Sequence, residues 1–140
     1  MSSERRRPSP AEMVHHARRR IALIRNWTRA DTEATYLANE ERQAAVERNF
    51  IAIGEAIKGL ARSVDLPALD PSGPWREPAH FRDFLAHQYE EGVSHPDVWR
   101  SIQDDLHMLD AALERLAACG RSLIRMCCWP GCCGAARRMR

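Results

Sequence analysis

The sequence is short of lysine, of aromatic residues and of long apolar runs. Twenty of its 21 basic residues are arginine, and only Lys58 is lysine. Arginine presents a planar fork to phosphate, although a GC-rich genome favouring Arg and Ala codons accounts for the bias as well. The net charge of +2 is too small to point to nucleic acid by itself. Aromatic residues make up 6%, and Val, Ile and Thr are sparse beside Ala, Leu, Arg and Glu, which favours helix over sheet. No apolar run approaches the ~20 residues that span a bilayer. The N-terminal MSSERRRPSP has no apolar signal-peptide core, so a cytoplasmic protein with no membrane partner is expected. Neither a P-loop nor a GxGxxG turn occurs, and no cofactor is expected. The five cysteines, at 119, 127, 128, 132 and 133, all fall in the last 22 residues. In a cytoplasmic setting they stay reduced. Adjacent cysteine pairs lack the C-x2-C knuckle spacing and have no histidine nearby, so no metal site is expected.

What is present is helical periodicity. At 140 residues the chain makes one domain with a real core. Residues 1–9 read as a disordered basic start. A first helix begins near Pro10 with Ser9 as its N-cap. Its stripe is Val14, Ala17, Ile21 and Ile24, interrupted by Arg18, Arg19 and Arg20. Such a charge run is usually a solvated face, and contact with RNA phosphate is the alternative. Asp31 and Asn39 are plausible caps. A second long helix is expected from about 40 to 63, with Val46, Phe50, Ile53, Ile57 and Leu60 inward and Gly54 marking a close approach. The stretch 64–77 holds three prolines and a glycine and reads as a loop that Trp75 anchors. A third helix is expected over about 78–91, ended by Gly92. A fourth starts at Pro96, capped by Ser94 or His95. It carries Trp99, Ile102, Leu106, Leu109, Leu113 and Leu116 inward and stops at Gly120. The domain is therefore expected over 10–118, and residues 119–140 form a flexible Cys- and Arg-rich tail.

The third helix carries RDFLAHQY, residues 82–89. Arg82 and His87, five residues apart, point about 140° apart on one helix. They cannot easily reach one small atom from a single regular helix. Two copies of the helix about a two-fold axis would bring two arginines and two histidines to one cleft. Such a cleft suits metal-independent RNA cleavage, because the 2′-hydroxyl is an internal nucleophile. One imidazole can take the 2′ proton and the other can protonate the leaving 5′ oxygen, while guanidinium offsets charge on the phosphate. The same residues also fit an ordinary solvated helix, with Asp83 and His87 as an i, i+4 pair and Tyr89 as a packing residue. Spacing alone leaves both readings open.

RDFLAHQY resembles the R-x4-H-x-Y motif of the HepT-like, or DUF86, branch of the HEPN superfamily. RNFIAIGEAIKGL at 48–60, Pro74–Trp75 and HPDVWRSIQDDLHMLDAAL at 95–113 resemble further signatures of that family, in order and over roughly residues 10–117. The resemblance implies an all-α, up-and-down HEPN-like bundle of about four to five helices, homodimeric through the motif helix. It implies a metal-independent endoribonuclease, the toxin of a type VII-like toxin–antitoxin pair. RNA is then the substrate. The partner is an MntA-like minimal nucleotidyltransferase antitoxin. Arg82 and His87 take the catalytic places, and Tyr89 takes that of the tyrosine such partners modify with AMP. Asp83 stands where Asn commonly follows the arginine and has a supporting place beside the pair. The runner-up is a non-catalytic nucleotide- or RNA-binding HEPN subunit that docks the nucleotidyltransferase.

Overall fold

The computed structural model of the chain describes residues 6–76 and 92–126, with side chains as far as Cys119. Among the described residues it is all-α, with six helices and no strand. No helix among them is long and apolar enough to cross a membrane.

The first helix, α1 (Pro10–Thr28), starts where its cap chemistry directs. The Ser9 hydroxyl accepts the Glu12 backbone N–H at 3.2 Å, and Ser9 N–H donates back to the Glu12 carboxylate at 2.8 Å. That capping box, with Pro10 at N1, satisfies amide donors that would otherwise be orphaned. Thr28 ends the helix with its hydroxyl bonded to Ile24 O at 2.8 Å. A short helix, α2 (Glu33–Leu37), is capped by Thr32. Asp31, one of the expected caps, instead receives the Arg42 guanidinium and the Thr35 hydroxyl.

The long helix α3 (Glu40–Ser63) has the expected limits, with Asn39 accepting the Arg42 N–H at 2.9 Å. Its buried stripe packs on that of α1, and Val14, Ala17, Ile21, Ile24, Val46, Phe50, Ile53, Ile57 and Leu60 are all at most 7% exposed. Burial of each large aliphatic side chain contributes about 1.5–3 kcal/mol. Gly54 is buried, and a close approach among the described residues occurs at Gly59, where a Cβ would stand 3.1 Å from Met13 Sδ. Gln43 donates to both Tyr36 O and Leu37 O at 3.0 Å, which ties the end of α2 to α3.

The expected loop after α3 contains a single turn, α4 (Leu66–Leu69), with Asp65 as cap. The single final helix expected from Pro96 is two: α5 (His95–Asp104) and α6 (Leu106–Met126). The break is local. Asp105 N–H still bonds Ser101 O, Leu109 N–H still bonds Asp105 O, and the buried series Ile102, Leu106, Leu109, Leu113, Leu116 passes through uninterrupted. Gly120 does not stop the helix, because α6 continues to Met126. Glycine costs a helix interior only about 1 kcal/mol, less than propagation of an established helix can absorb. α1 packs on α3 and α6, α2 on α3 and α5, and α5 on α6.

Trp75 is buried, 7% exposed, and its indole N–H donates to Asp70 O at 2.9 Å. The ring lies directly over Gly73, where any Cβ would overlap the indole. Gly73→Ala should therefore dislodge Trp75 and destabilise the fold by about 1–3 kcal/mol, an overpacking cost. Urea unfolding followed by circular dichroism gives the value, and an unchanged midpoint would show that the loop yields instead.

Candidate functional site

The residues assigned to chemistry by the sequence, Arg82, Asp83, His87 and Tyr89, lie outside the described residues, as does the helix expected over 78–91. What the structure gives is the frame on either side of that stretch.

On the entering side, Asp70 is the hub. Its backbone carbonyl holds the Trp75 indole, and Oδ1 accepts the Ser72 hydroxyl at 2.8 Å. Oδ2 receives Arg115 of α6 through Nη2 at 2.9 Å and Nε at 3.2 Å. Burial pushes the Asp70 carboxyl up, but the Ser72 hydrogen bond and the Arg115 guanidinium outweigh it and hold the group below the usual carboxylate range. The loop is thereby fixed to α6 just before residue 77.

On the leaving side, Gly92 has φ +88°, the left-handed conformation that glycine adopts without strain. Val93 packs on the core. Ser94 is the N-cap residue of α5, though its side chain makes no capping bond. His95 then reaches α3, with Nδ1 3.1 Å from Glu47 Oε1. These two atoms and the Tyr36 hydroxyl are buried and make no aligned hydrogen bond among the described residues. The rings of Tyr36 and Trp99 lie 5.3 Å apart at 33°, a separation typical of favourable aromatic pairs.

The cluster joins α2, α3 and α5, and His95 follows the motif stretch in sequence. Burial pushes Glu47 above the usual carboxylate range, and His95 opposes that only in part. Tyr36 is raised as well, first by burial, then by the charges of Glu47 and Asp31. The sequence offered no sign of this cluster. His95 and Glu47 are 48 positions apart, and Tyr36 sits in a helix too short to show a period.

Neither His16, His107 nor the Asp104–Asp105 pair is gathered into a site. The two aspartates are exposed, as their adjacency on a helix implies. No group of three or more His, Cys, Asp or Glu side chains able to hold a metal occurs among the described residues. Cys119 is exposed with a free thiol, and the other cysteines lie outside the described residues.

Comparison with known proteins places this frame in a family. The family described as "Ribonuclease HepT-like" matches residues 17–116. The probable ribonuclease HepT of Thermococcus cleftensis is 36% identical over 96 residues, covering 69% of this chain and 84% of that protein. A Methanocaldococcus jannaschii protein named "Gamma-glutamylcyclotransferase and putative RNase" is 32% identical over 103 residues, 74% of this chain but 45% of its own length. A further RNase-named protein of that organism is 30% identical over 93 residues, 66% of this chain and 74% of its own. No solved structure gives a significant match.

The Glu47 environment has a pH consequence. Its folded-state value is raised above that of an ordinary glutamate, so its contribution to stability is complete below the ordinary value and is lost as pH rises through the raised one. Glu47→Gln removes the titration. The melting temperature of the variant relative to the parent should therefore rise between pH 4 and pH 7. A difference that stays flat or shrinks over that range would mean the carboxylate is well accommodated.

Proposed function

The chain belongs to the HepT-like ribonuclease family, and we propose that it is a metal-independent endoribonuclease, the toxin of a toxin–antitoxin pair, with a composite site of Arg82 and His87 from two protomers. The observation that carries this reading is R-x4-H-x-Y lying inside the stretch that matches the family, residues 17–116.

The chemistry follows from the residue types. His87 of one protomer accepts the 2′ proton as the 2′ oxygen attacks phosphorus. The phosphorus–O5′ bond breaks, and the imidazolium of the second His87 protonates the departing oxygen. A 2′,3′-cyclic phosphate and a 5′-hydroxyl result, with no water consumed and no metal needed to activate one. The arginine forks offset charge on the phosphoryl oxygens. A homodimer is part of the proposal because two imidazoles are required and each motif supplies one. Asp83, beside the motif arginine, adds a negative charge near the phosphate. It is the one feature that favours the second reading, a non-catalytic subunit docking a nucleotidyltransferase.

Tyr89 is the proposed control point, modified with AMP by a minimal nucleotidyltransferase antitoxin. On the helix expected there it would stand about 200° from His87, so it need not share the histidine's contacts. AMP there would add bulk and negative charge beside the RNA path, repelling phosphate.

RNA cleavage should survive EDTA, and either Arg82→Ala or His87→Ala should reduce it by at least 100-fold, the scale of a lost acid–base group, while the melting curve is retained. Cleavage unaffected by both substitutions would sink the site assignment. No cleavage of any RNA by the parent protein would favour the non-catalytic subunit.

Co-expression with the cognate nucleotidyltransferase should add one or more AMP units to the intact mass, and Tyr89→Phe should prevent it. Inhibition without a mass change would show that the partner acts by binding alone.

A further inference from the structure

The three consecutive arginines of α1 do not form one patch. Successive residues turn by about 100°, and each arginine goes to a different place. Arg20 bonds Asn49 of α3 at 3.2 Å, while Arg18 donates from Nε to Asp110 of α6 at 3.1 Å. Arg19 is exposed with no ion pair among the described residues. The continuous feature is instead a stripe down the outer side of α1. His15, Arg18, Ala22 and Arg25 recur at three, four and three, so they share one face.

This stripe borders a groove of about 410 Å³ between α1 and α6. Arg18, Arg19 and Arg25 stand over it against a single carboxylate, Asp110. That carboxylate is shared, since Arg25 Nη1 is 4.0 Å from its second oxygen. Neither Nη nitrogen of Arg18 makes an ion pair among the described residues. Ala22 and Ala117 keep the groove open. From His15 to Arg25 the stripe runs about 15 Å, long enough to meet two or three consecutive phosphates of one strand.

We propose that the α1–α6 groove holds the phosphodiester backbone of the RNA substrate, as a binding surface separate from the cleavage centre. The inference rests on the RNA-cleaving function proposed above and adds where the strand runs. Arginine forks suit phosphate oxygens. The surplus of positive charge complements a polyanion.

The test uses the full chain and a fluorescein-labelled 2′-O-methyl 20-mer, which has no free 2′-hydroxyl and so is not cleaved. Arg19→Gln with Arg25→Gln should weaken binding on the order of tenfold at low salt. It should also flatten the slope of log affinity against log salt by about 1.4, two lost phosphate contacts on a single strand. Arg62→Gln with Arg100→Gln removes the same charge from exposed positions elsewhere and should leave both nearly unchanged. Cleavage of the dinucleotide UpU should not change in the groove variant, whereas cleavage of a 20-mer should fall. Arg19→Gln alone, which breaks no ion pair, should show half the slope change and guards against misfolding of the double variant. Equal losses in the groove and control variants, or no loss in the groove variant, would overturn the groove while the ribonuclease reading stands. A parent protein that neither binds nor cleaves RNA would overturn both.

Discussion

The packing of α1 against α3 is the constraint on which the other contacts depend. The two helices run antiparallel: Met13 meets Gly59, Arg20 meets Asn49, and Trp27 O accepts the Arg42 guanidinium. Their interface supplies Ile21, Ile24, Ile53 and Ile57, each at most 1% exposed. Losing one such side chain to alanine costs about 2–5 kcal/mol, a large part of the margin of a small domain. With this pair fixed, one face of α3 is left for α2, and the far side of α1 for α6. The apolar series of α5 and α6 then closes the core.

Two polar anchors use this scaffold at the positions flanking residues 77–91 in sequence. They differ in kind. Asp70 is fully partnered by Ser72 and Arg115, so its charge is favoured and its contact with Arg115 is a stable tether. Glu47 has fewer compensating partners, and burial disfavours its charge although His95 lies 3.1 Å away. A pair placed in that way holds position at some cost to stability, the usual balance for a buried or half-buried ion pair. Natural chains keep such strained polar contacts mainly near functional segments, and His95 follows the motif by six residues.

The legible parts of the fold were those set by neighbours in sequence. The Ser9 and Asn39 caps, the start of α1, the limits of α3 and the inward stripes all follow from spacings of three and four or from cap chemistry. Trp75 was identified as an anchor because a tryptophan in a proline-rich loop has few other uses. Most of the misses share one physical origin, interactions across long sequence separation. Thr32 caps α2 while Asp31 is taken by Arg42. Tyr36 and Val98 are fully buried because α2, α3 and α5 converge on them, which no local period reveals. Gly120 failed as a stop signal because an established helix tolerates a single glycine. Of the candidate site, the motif itself was visible only as a pattern and a family likeness. Its flanking anchors, Asp70 with Arg115 and Glu47 with His95, join positions 45 and 48 apart and were invisible.

The arginine bias shows the same limit from the opposite direction. Read linearly, Arg18–Arg19–Arg20 is one block of charge. Folded, it is divided among α6, solvent and α3, because a 100° step per residue sends adjacent side chains to different faces. Arg20 serves packing, since Asn49 is buried and uses its amide N–H on Ala45 O while its oxygen takes the guanidinium. Arg18 is a compromise, with one edge on Asp110 and the rest toward the groove. A codon bias toward arginine explains how many there are, but it does not explain why Arg25 and His15 complete a face with Arg18. Charge becomes a surface feature only after the helix has sorted it, so the face, and not the run of letters, is the unit on which a polyanion could act.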